Sequence, residues 1–232
     1  MTAKNAIDWH TQIATDFDRK YSSSKNFIER YAVWTEILEK YSDNSFHALD
    51  IGCGSGIFTF YLAEKNKTVV GLDASTEMLK ICQKKLENAE VDNLAFINCN
   101  IESLGQRLDK KADIVVCSSV LEYLDDLDES LKIIIQSMNK NGLLIFSMPN
   151  KQSIYRKIEP LTYNLFGRPE YYKHVRNVCT QKEVENKLKK FNCSILENKY
   201  YGETPFLSKV FRKFGLSRYS DNLFITVARL PS

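Results

Sequence analysis

The chain has 232 residues, of which 44% are hydrophobic and 26% charged, and its formal net charge is +3. That length suits one sizeable core rather than two full domains, and no run of about 18 apolar residues is present to span a bilayer. Six cysteines, at 53, 82, 99, 117, 179 and 193, show neither CxxC nor Cys/His ligand spacing. They read as free buried thiols of a cytoplasmic protein, not as a zinc site or disulfide framework.

In chain order, the opening stretch MTAKNAIDWHTQIATDFDRK has no apolar centre and no small-residue cleavage site, so it does not read as a secretory signal. Phe27, Tyr31, Trp34, Leu38 and Tyr41 recur at helical spacing, and residues 1–45 are expected to form a helical flap. Short runs rich in Val, Ile and Phe follow: FHALDI (46–51), TVVGLD (68–73), LAFIN (94–98), ADIVVC (112–117) and GLLIFS (142–147). Helical periodicity fills 57–65, 75–89 and 126–139 between them. Alternation of this kind predicts a mostly parallel sheet covered on both faces. After Pro149 the rhythm breaks: 150–178 is aromatic and basic with no clear strand and reads as a cap. A helix over 180–190 and strands over 193–200 and 222–229 complete the chain, with the basic, aromatic insert FLSKVFRKFGLSRY (206–219) between the two strands. The whole reads as one domain, 1–232.

Charge is unevenly spread. Residues 1–150 carry 16 Lys/Arg against 22 Asp/Glu, a balance of −6, whereas 151–232 carry 16 against 7, a balance of +9. A basic last third suits an anionic substrate, an anionic membrane surface or nucleic acid, or is simply a solvated face.

The strongest local signal is ALDIGCGSG (48–56), a strand that runs into Gly52, Gly54 and Gly56. Glycines there let the backbone turn sharply and let a ligand lie on main-chain atoms. A dinucleotide loop needs GxGxxG, but its third glycine position holds Ile57, and no GKS or GKT follows to make a P-loop. Seventeen residues after Gly56, the second strand ends in Asp73, whose carboxylate suits the two hydroxyls of a ribose.

With the glycines and Asp73 in this order, the sequence resembles the class I S-adenosylmethionine-dependent methyltransferases over about 46–148. The resemblance implies a doubly wound, Rossmann-like α/β fold with a seven-stranded sheet, mostly parallel with the last strand antiparallel. It implies S-adenosyl-L-methionine as cofactor and S-adenosyl-L-homocysteine as product. Asp50 would orient the methionyl amino group, Gly52, Gly54 and Gly56 would floor the site, and Asp73 would hold the ribose. In NCNIESL, Asn100 would meet the adenine edge and Ile101 its face; Asn stands where the family usually has an acid, and can still accept a hydrogen bond.

The fourth strand leads into CSSVLEYLDD, which lacks the (N/D)PP(Y/F) motif of amide and adenine methylases, so those acceptors are not expected. Cys117 reads as the strand's last core residue rather than a nucleophile. SSVLEYLDDLDESL is similar to the small-molecule O-methyltransferases related to the ubiquinone-biosynthesis enzyme. Ser118 matches a cofactor contact. The two acids and histidine that bind a divalent metal in some members fall on Ser119, Glu122 and Tyr123, of which only Glu122 is retained, so no metal is expected. DFDRKYSSSKNFIERYAVW resembles the leading helix whose arginine reaches the cofactor carboxylate; Arg30 matches it or is a plain surface residue of that helix, and Tyr21 would close over the methionyl end or simply pack.

Transfer to a hydroxyl calls for a base. His174, before a helix that begins at Thr180, matches a cap histidine of related enzymes, with Glu122 and Tyr123 as the other candidates; a structural role is open for all three. Tyr155, Tyr163, Phe166, Tyr171 and Tyr172, interleaved with Arg156, Lys157, Arg168 and Lys173, would cover the acceptor or fill the cap's own core. The expected acceptor is a small phenolic, quinone-related or polyhydroxylated molecule, with peripheral contact to an anionic membrane surface. N- or C-methylation of a metabolite, RNA methylation through the basic last third, and a non-catalytic binding module are the alternatives; nucleic acid is not expected, because the basic residues follow no known module.

Overall fold

The computed structural model describes residues 4–203 and 207–232, so the first three residues of the expected flap and Phe206 of the expected insert lie outside the described residues. Three helices lead: α1 (Lys4–Gln12), α2 (Ala14–Ser23) and α3 (Lys25–Tyr41). In α3 the helical spacing of Trp34, Ile37 and Leu38 puts all three on one buried face, and Trp34 packs its ring against Phe58, 5.3 Å between centroids.

The sheet then assembles from β1 (His47–Ile51), α4 (Ile57–Ala63), β2 (Thr68–Asp73), α5 (Thr76–Leu86), β3 (Leu94–Asn98), α6 (Leu104–Arg107), β4 (Ala112–Cys117), α7 (Leu127–Gln136) and β5 (Met138–Pro149). The cap helix α8 (Ile154–Phe166), α9 (Gln181–Lys189), β6 (Ser194–Tyr201), α10 (Leu207–Lys213), α11 (Ser217–Ser220) and β7 (Leu223–Arg229) follow. The strand order is β3-β2-β1-β4-β5-β7-β6. The first five strands are parallel, and β7 runs antiparallel to both β5 and β6. This is the mostly parallel sheet that the strand and helix alternation predicts, in the seven-stranded, doubly wound form that the resemblance implies.

Each face of the sheet carries its own core. Trp34, Leu38, Phe58, Leu62, Val69, Ile114 and Ile225 fill the side under α3 and α4. Leu49, Leu72, Leu104, Val115, Leu131, Ile134, Leu144, Val184 and Leu188 fill the side under α6, α7 and α9. Central strands buried on both faces explain why β4 and β5 read as continuous apolar runs rather than alternating ones. Helix starts are set locally. Ser75 accepts the Met78 amide over α5, Asp126 accepts the Glu129 amide over α7, and Thr180 with Glu183 closes a reciprocal box over α9, each contact contributing about 1 kcal/mol.

Two differences from the sequence reading matter. Strand β5 begins at Met138 rather than 142, continuing its pairing past an irregularity opposite Ala112/Ile114. The cap contains a 13-residue helix, α8, with Pro160 inside it. Its apolar residues Ile158, Leu161, Leu165 and Phe166 are 48–75% exposed, so their helical spacing marks an outer face and not a core.

Chain order reverses between β2 and β4 on either side of β1. A crevice opens at such a switch point, beyond the carboxyl ends of the strands. The register Ile51↔Leu72 brings Gly52 and Asp73 out of the sheet side by side, directly at that crevice.

Candidate active site

One cavity of about 380 Å³ occupies the crevice. Its floor is the loop after β1. Gly52 and Gly54 have φ of +66° and +55°, a left-handed conformation that side chains disfavour. A Cβ on Gly52 would run into the Val120 side chain. Asp73 fastens this loop to β2: one oxygen accepts the Gly54 amide at 2.8 Å and the other the Ser75 amide at 2.8 Å. Burial raises the Asp73 pKa, and those two amides pull it back. Asp50, 1% exposed, accepts a hydrogen bond from Thr59 Oγ1 at 2.7 Å. Burial pushes its pKa up to about 7, opposed mainly by Thr59. Gly56 does not line the cavity; it precedes α4 with a left-handed φ of +81°, and a Cβ there would press on Cys82 Sγ and the Phe60 ring, so backbone conformation and packing explain that glycine.

Above the floor, Asn100 uses its side-chain oxygen to accept the Ser103 amide at 3.2 Å, which holds the short 3-10 turn Ile101–Ser103 and sets Ile101, 7% exposed, in the cavity wall. Arg30 crosses from α3 and donates from Nη2 to the Ser118 carbonyl at 2.9 Å and the Ser118 hydroxyl at 2.6 Å. Its Nε is buried with no hydrogen-bond partner among the described residues. Tyr21 lines the wall inside an edge-on aromatic cluster with Phe17, Phe27 and Phe58.

The far end is formed by the turn Leu121–Tyr123 and the cap. The amides of Arg176 and Asn177 donate to the Glu122 carbonyl at 2.7 and 3.1 Å, and the Asn177 side chain donates to the carbonyls of Leu121 and Leu124. The cap segment at Arg176 and Asn177 thus clamps this turn. The Glu122 side chain lines the cavity at 3% exposure, and its Oε2 has no hydrogen-bond partner among the described residues. Burial pushes Glu122 up to about 7, against the pull of Arg30 and Arg156. Tyr123 also lines the cavity, and burial, then the Glu122 charge, raises its pKa.

His174 is placed elsewhere. It does not line the cavity; its ring stacks on Trp9, 5.4 Å between centroids, and its Nε2 is buried without a partner among the described residues. Burial, then Lys173 and Arg176, lowers its pKa. The histidine in the cavity wall is His10, brought in by α1 and set edge-on to Tyr123 at 5.1 Å. Burial, then His174 and Arg30, pushes His10 down to about 4, so it is neutral near pH 7. The sequence points to His174 and not to His10, because nothing local says that α1 folds back over the loop. The docking is long-range, through Thr11 Oγ1 donating to Ser75 Oγ at 2.8 Å and the Trp9–His174 stack. Tyr201, at the end of β6, and Arg156 and Tyr171 of the cap also reach the cavity. The two cap residues were legible as part of its aromatic and basic run, and Tyr201 carried no signal of its own.

Residues 42–204 match a family model described as a methyltransferase domain. A ubiquinone biosynthesis O-methyltransferase from Paracidovorax citrulli is 29% identical over 105 residues, covering 45% of this chain and 44% of that protein. A ribosomal protein L11 methyltransferase from Campylobacter lari is 36% identical over 112 residues, covering 48% of this chain and 38% of that protein. The chain therefore spans less than half the length of these relatives. The crystal structure of magnesium protoporphyrin IX methyltransferase from Synechocystis with bound S-adenosylhomocysteine superposes with a TM-score of 0.72 at 15% identity, covering 99% of each chain, which shows a shared fold.

Proposed function

The chain belongs to the methyltransferase domain family, of the class I S-adenosylmethionine-dependent kind, and we propose that it methylates a hydroxyl oxygen of a small phenolic, quinone-related or polyhydroxylated molecule. The observation that carries this reading is that one cavity holds both the glycine loop with Asp73 and the buried Glu122, whose Oε2 has no hydrogen-bond partner among the described residues.

The residues fit the cofactor. Gly52 and Gly54 leave main chain open where Cβ atoms would otherwise stand. Arg30 Nε is a buried donor without an acceptor, suited to the methionyl carboxylate, and Asp50 suits the ammonium beside it. Asp73 still has lone pairs for ribose hydroxyls, Asn100 for the adenine edge, and Ile101 offers an apolar face. When bound, S-adenosylmethionine supplies an electrophilic methyl group on a sulfonium.

The chain's own residues do the rest. Glu122 Oε2 receives the hydroxyl proton, and a base whose pKa lies near the working pH is effective in that role. His10, Tyr123 and Tyr21 close the cavity and exclude water, which strengthens each charge interaction inside. The six buried free thiols support a reducing, cytoplasmic setting. The exposed face of α8, beside Lys157 and Arg168, supports peripheral contact with an anionic membrane surface. Wild type should sediment with vesicles containing phosphatidylglycerol and Leu165→Ser should not; equal sedimentation removes that contact.

The reaction is tested with methyl-labelled S-adenosylmethionine and an extract of small metabolites, protein and RNA. The reading expects label in small molecules, in an ether that resists mild base. Label in RNA or protein alone overturns it.

A further inference from the structure

Two buried guanidinium groups, of Arg30 and Arg156, and two buried carboxylates, of Asp50 and Glu122, line the same cavity, and among the described residues no ion pair joins either arginine to either acid. Arg30 sits on the glycine-loop side, fixed by Ser118. Arg156 sits on the cap side, on α8, with its side chain 8% exposed. Glu122 feels both charges without bonding to either. Holding an ionic group out of water with hydrogen-bonding positions open is costly unless a ligand completes them. The cofactor has one carboxylate, and Arg30 serves it. Arg156 is already paired with Glu159, and what it has left for a ligand is its second terminal nitrogen.

Arg156 is held as a presenting group. Its Nη1 donates to both Glu159 oxygens at 2.9 and 2.8 Å, and its Nε reaches the Asn222 carbonyl at 3.4 Å. Tyr171 donates to the same Glu159 at 2.6 Å, and the guanidinium lies over the Tyr171 ring at 5.6 Å. Those contacts fix the plane of the guanidinium and leave Nη2 without an acceptor among the described residues. A fork immobilised in advance loses little entropy when it binds an oxyanion. One such donor beside Glu122 suits a monoanion, since a phosphate dianion would meet Glu122 and Glu203 in the same wall.

We propose that the acceptor is a hydroxy acid whose carboxylate binds Arg156 while the hydroxyl to be methylated faces Glu122. This rests on the reading of the protein as a small-molecule hydroxyl methyltransferase and specifies its substrate class. Tyr123 and Tyr171 line the same cavity, so a planar acid is favoured there.

The test follows the charge of the product. Metabolite extract is incubated with the protein and methyl-labelled S-adenosylmethionine, then passed over an anion exchanger. The expected label is retained by the exchanger and survives mild base, because the carboxylate stays free and the new bond is an ether. Label in the unretained fraction overturns the inference, whether as a neutral ether or as a base-labile methyl ester in which the carboxylate itself was methylated. Label confined to RNA or protein overturns the parent reading, and this inference with it. For the retained acceptor, Arg156→Gln is expected to raise KM at least 30-fold, with S-adenosylhomocysteine affinity by calorimetry within about twofold of wild type. Because that variant strands the Glu159 carboxylate, the double variant Arg156→Gln, Glu159→Gln is measured beside it. An unchanged KM in the variants that bind S-adenosylhomocysteine overturns the role of Arg156.

Discussion

The two ends of the cavity are built in opposite ways. At the glycine-loop end the carboxylates and the amide are already engaged with nearby backbone or side chains: Asp73 with the Gly54 and Ser75 amides, Asn100 with the Ser103 amide, Asp50 with Thr59. Only donors stay open there among the described residues, Nε of Arg30 and the hydroxyl of Ser55, whereas at the cap end an acceptor, Oε2 of Glu122, is open beside the cavity, with Nε1 of Trp9 and Nε2 of His174 behind it. A site whose acceptors are already bonded holds its shape whatever its ligand, as suits a part that meets the same nucleoside each time. A site with unsatisfied groups gains from a ligand that completes them, and therefore discriminates among ligands.

That contrast is broken or sharpened first at Glu122. Glu122→Gln keeps the shape and removes the proton acceptor, so kcat should fall by roughly 10²–10⁴-fold, the usual range for losing a general base. Affinity for S-adenosylhomocysteine should hold, since Glu122 belongs to the other end. The wild-type rate should rise with pH through about 7 as Glu122 ionises, and that limb should vanish in the variant. A variant that keeps wild-type turnover and pH profile would remove Glu122 from the chemistry.

The complementary change is Asp73→Ala. It deletes the carboxylate proposed to hold the ribose and also strands the Gly54 and Ser75 amides, so both the ligand and the loop should lose partners. Hydrogen bonds to a charged group are worth about 1.5–3 kcal/mol each, so affinity for S-adenosylhomocysteine should drop by roughly 30-fold or more in calorimetry. Unchanged affinity would mean that the preset end is not where the nucleoside binds.

Legibility in the sequence follows the same division. The sheet, its order of helices and the glycine-loop end could be read because each depends on short-range pattern. A strand leads into glycines, an acid ends the next strand, and Ser75, Asp126 and Thr180 mark helix starts. The cap end could not be read as well, because its members come from α1, the turn after β4, α8 and the end of β6, and only the folded chain brings them together. His174 and His10 show this. By chain position His174 has the better claim, yet folding turns it onto Trp9 and brings His10 to Tyr123 instead. Helix α8 was missed for a related reason: Pro160 interrupts its pattern and its apolar face points outward.

The most local expected effect concerns α1, the element that joins the two ends. His10 has a folded pKa of about 4 against 6.5 unfolded, so its neutral form is the one that fits. The groups facing it are cationic or aromatic: Arg30 from α3, His174 from the cap, Tyr123 and Phe17. A depressed histidine pKa gives stability that is present above pH 6.5 and lost as pH falls toward 4, worth roughly 3 kcal/mol in full. Asp50 and Glu122 act in the opposite sense. Their pKa values are raised to about 7, so their contribution is present below about pH 4 and lost as pH rises through 7. Acid should therefore loosen α1 selectively while it relieves the buried carboxylates. Trp9 emission should change between pH 6.5 and 4, with Trp34, fully buried in the core, unaffected. His10→Asn should abolish that transition, since asparagine takes up no proton in this range. If the transition survives the substitution, another group holds α1 down, and the link between the two ends of the cavity does not run through His10.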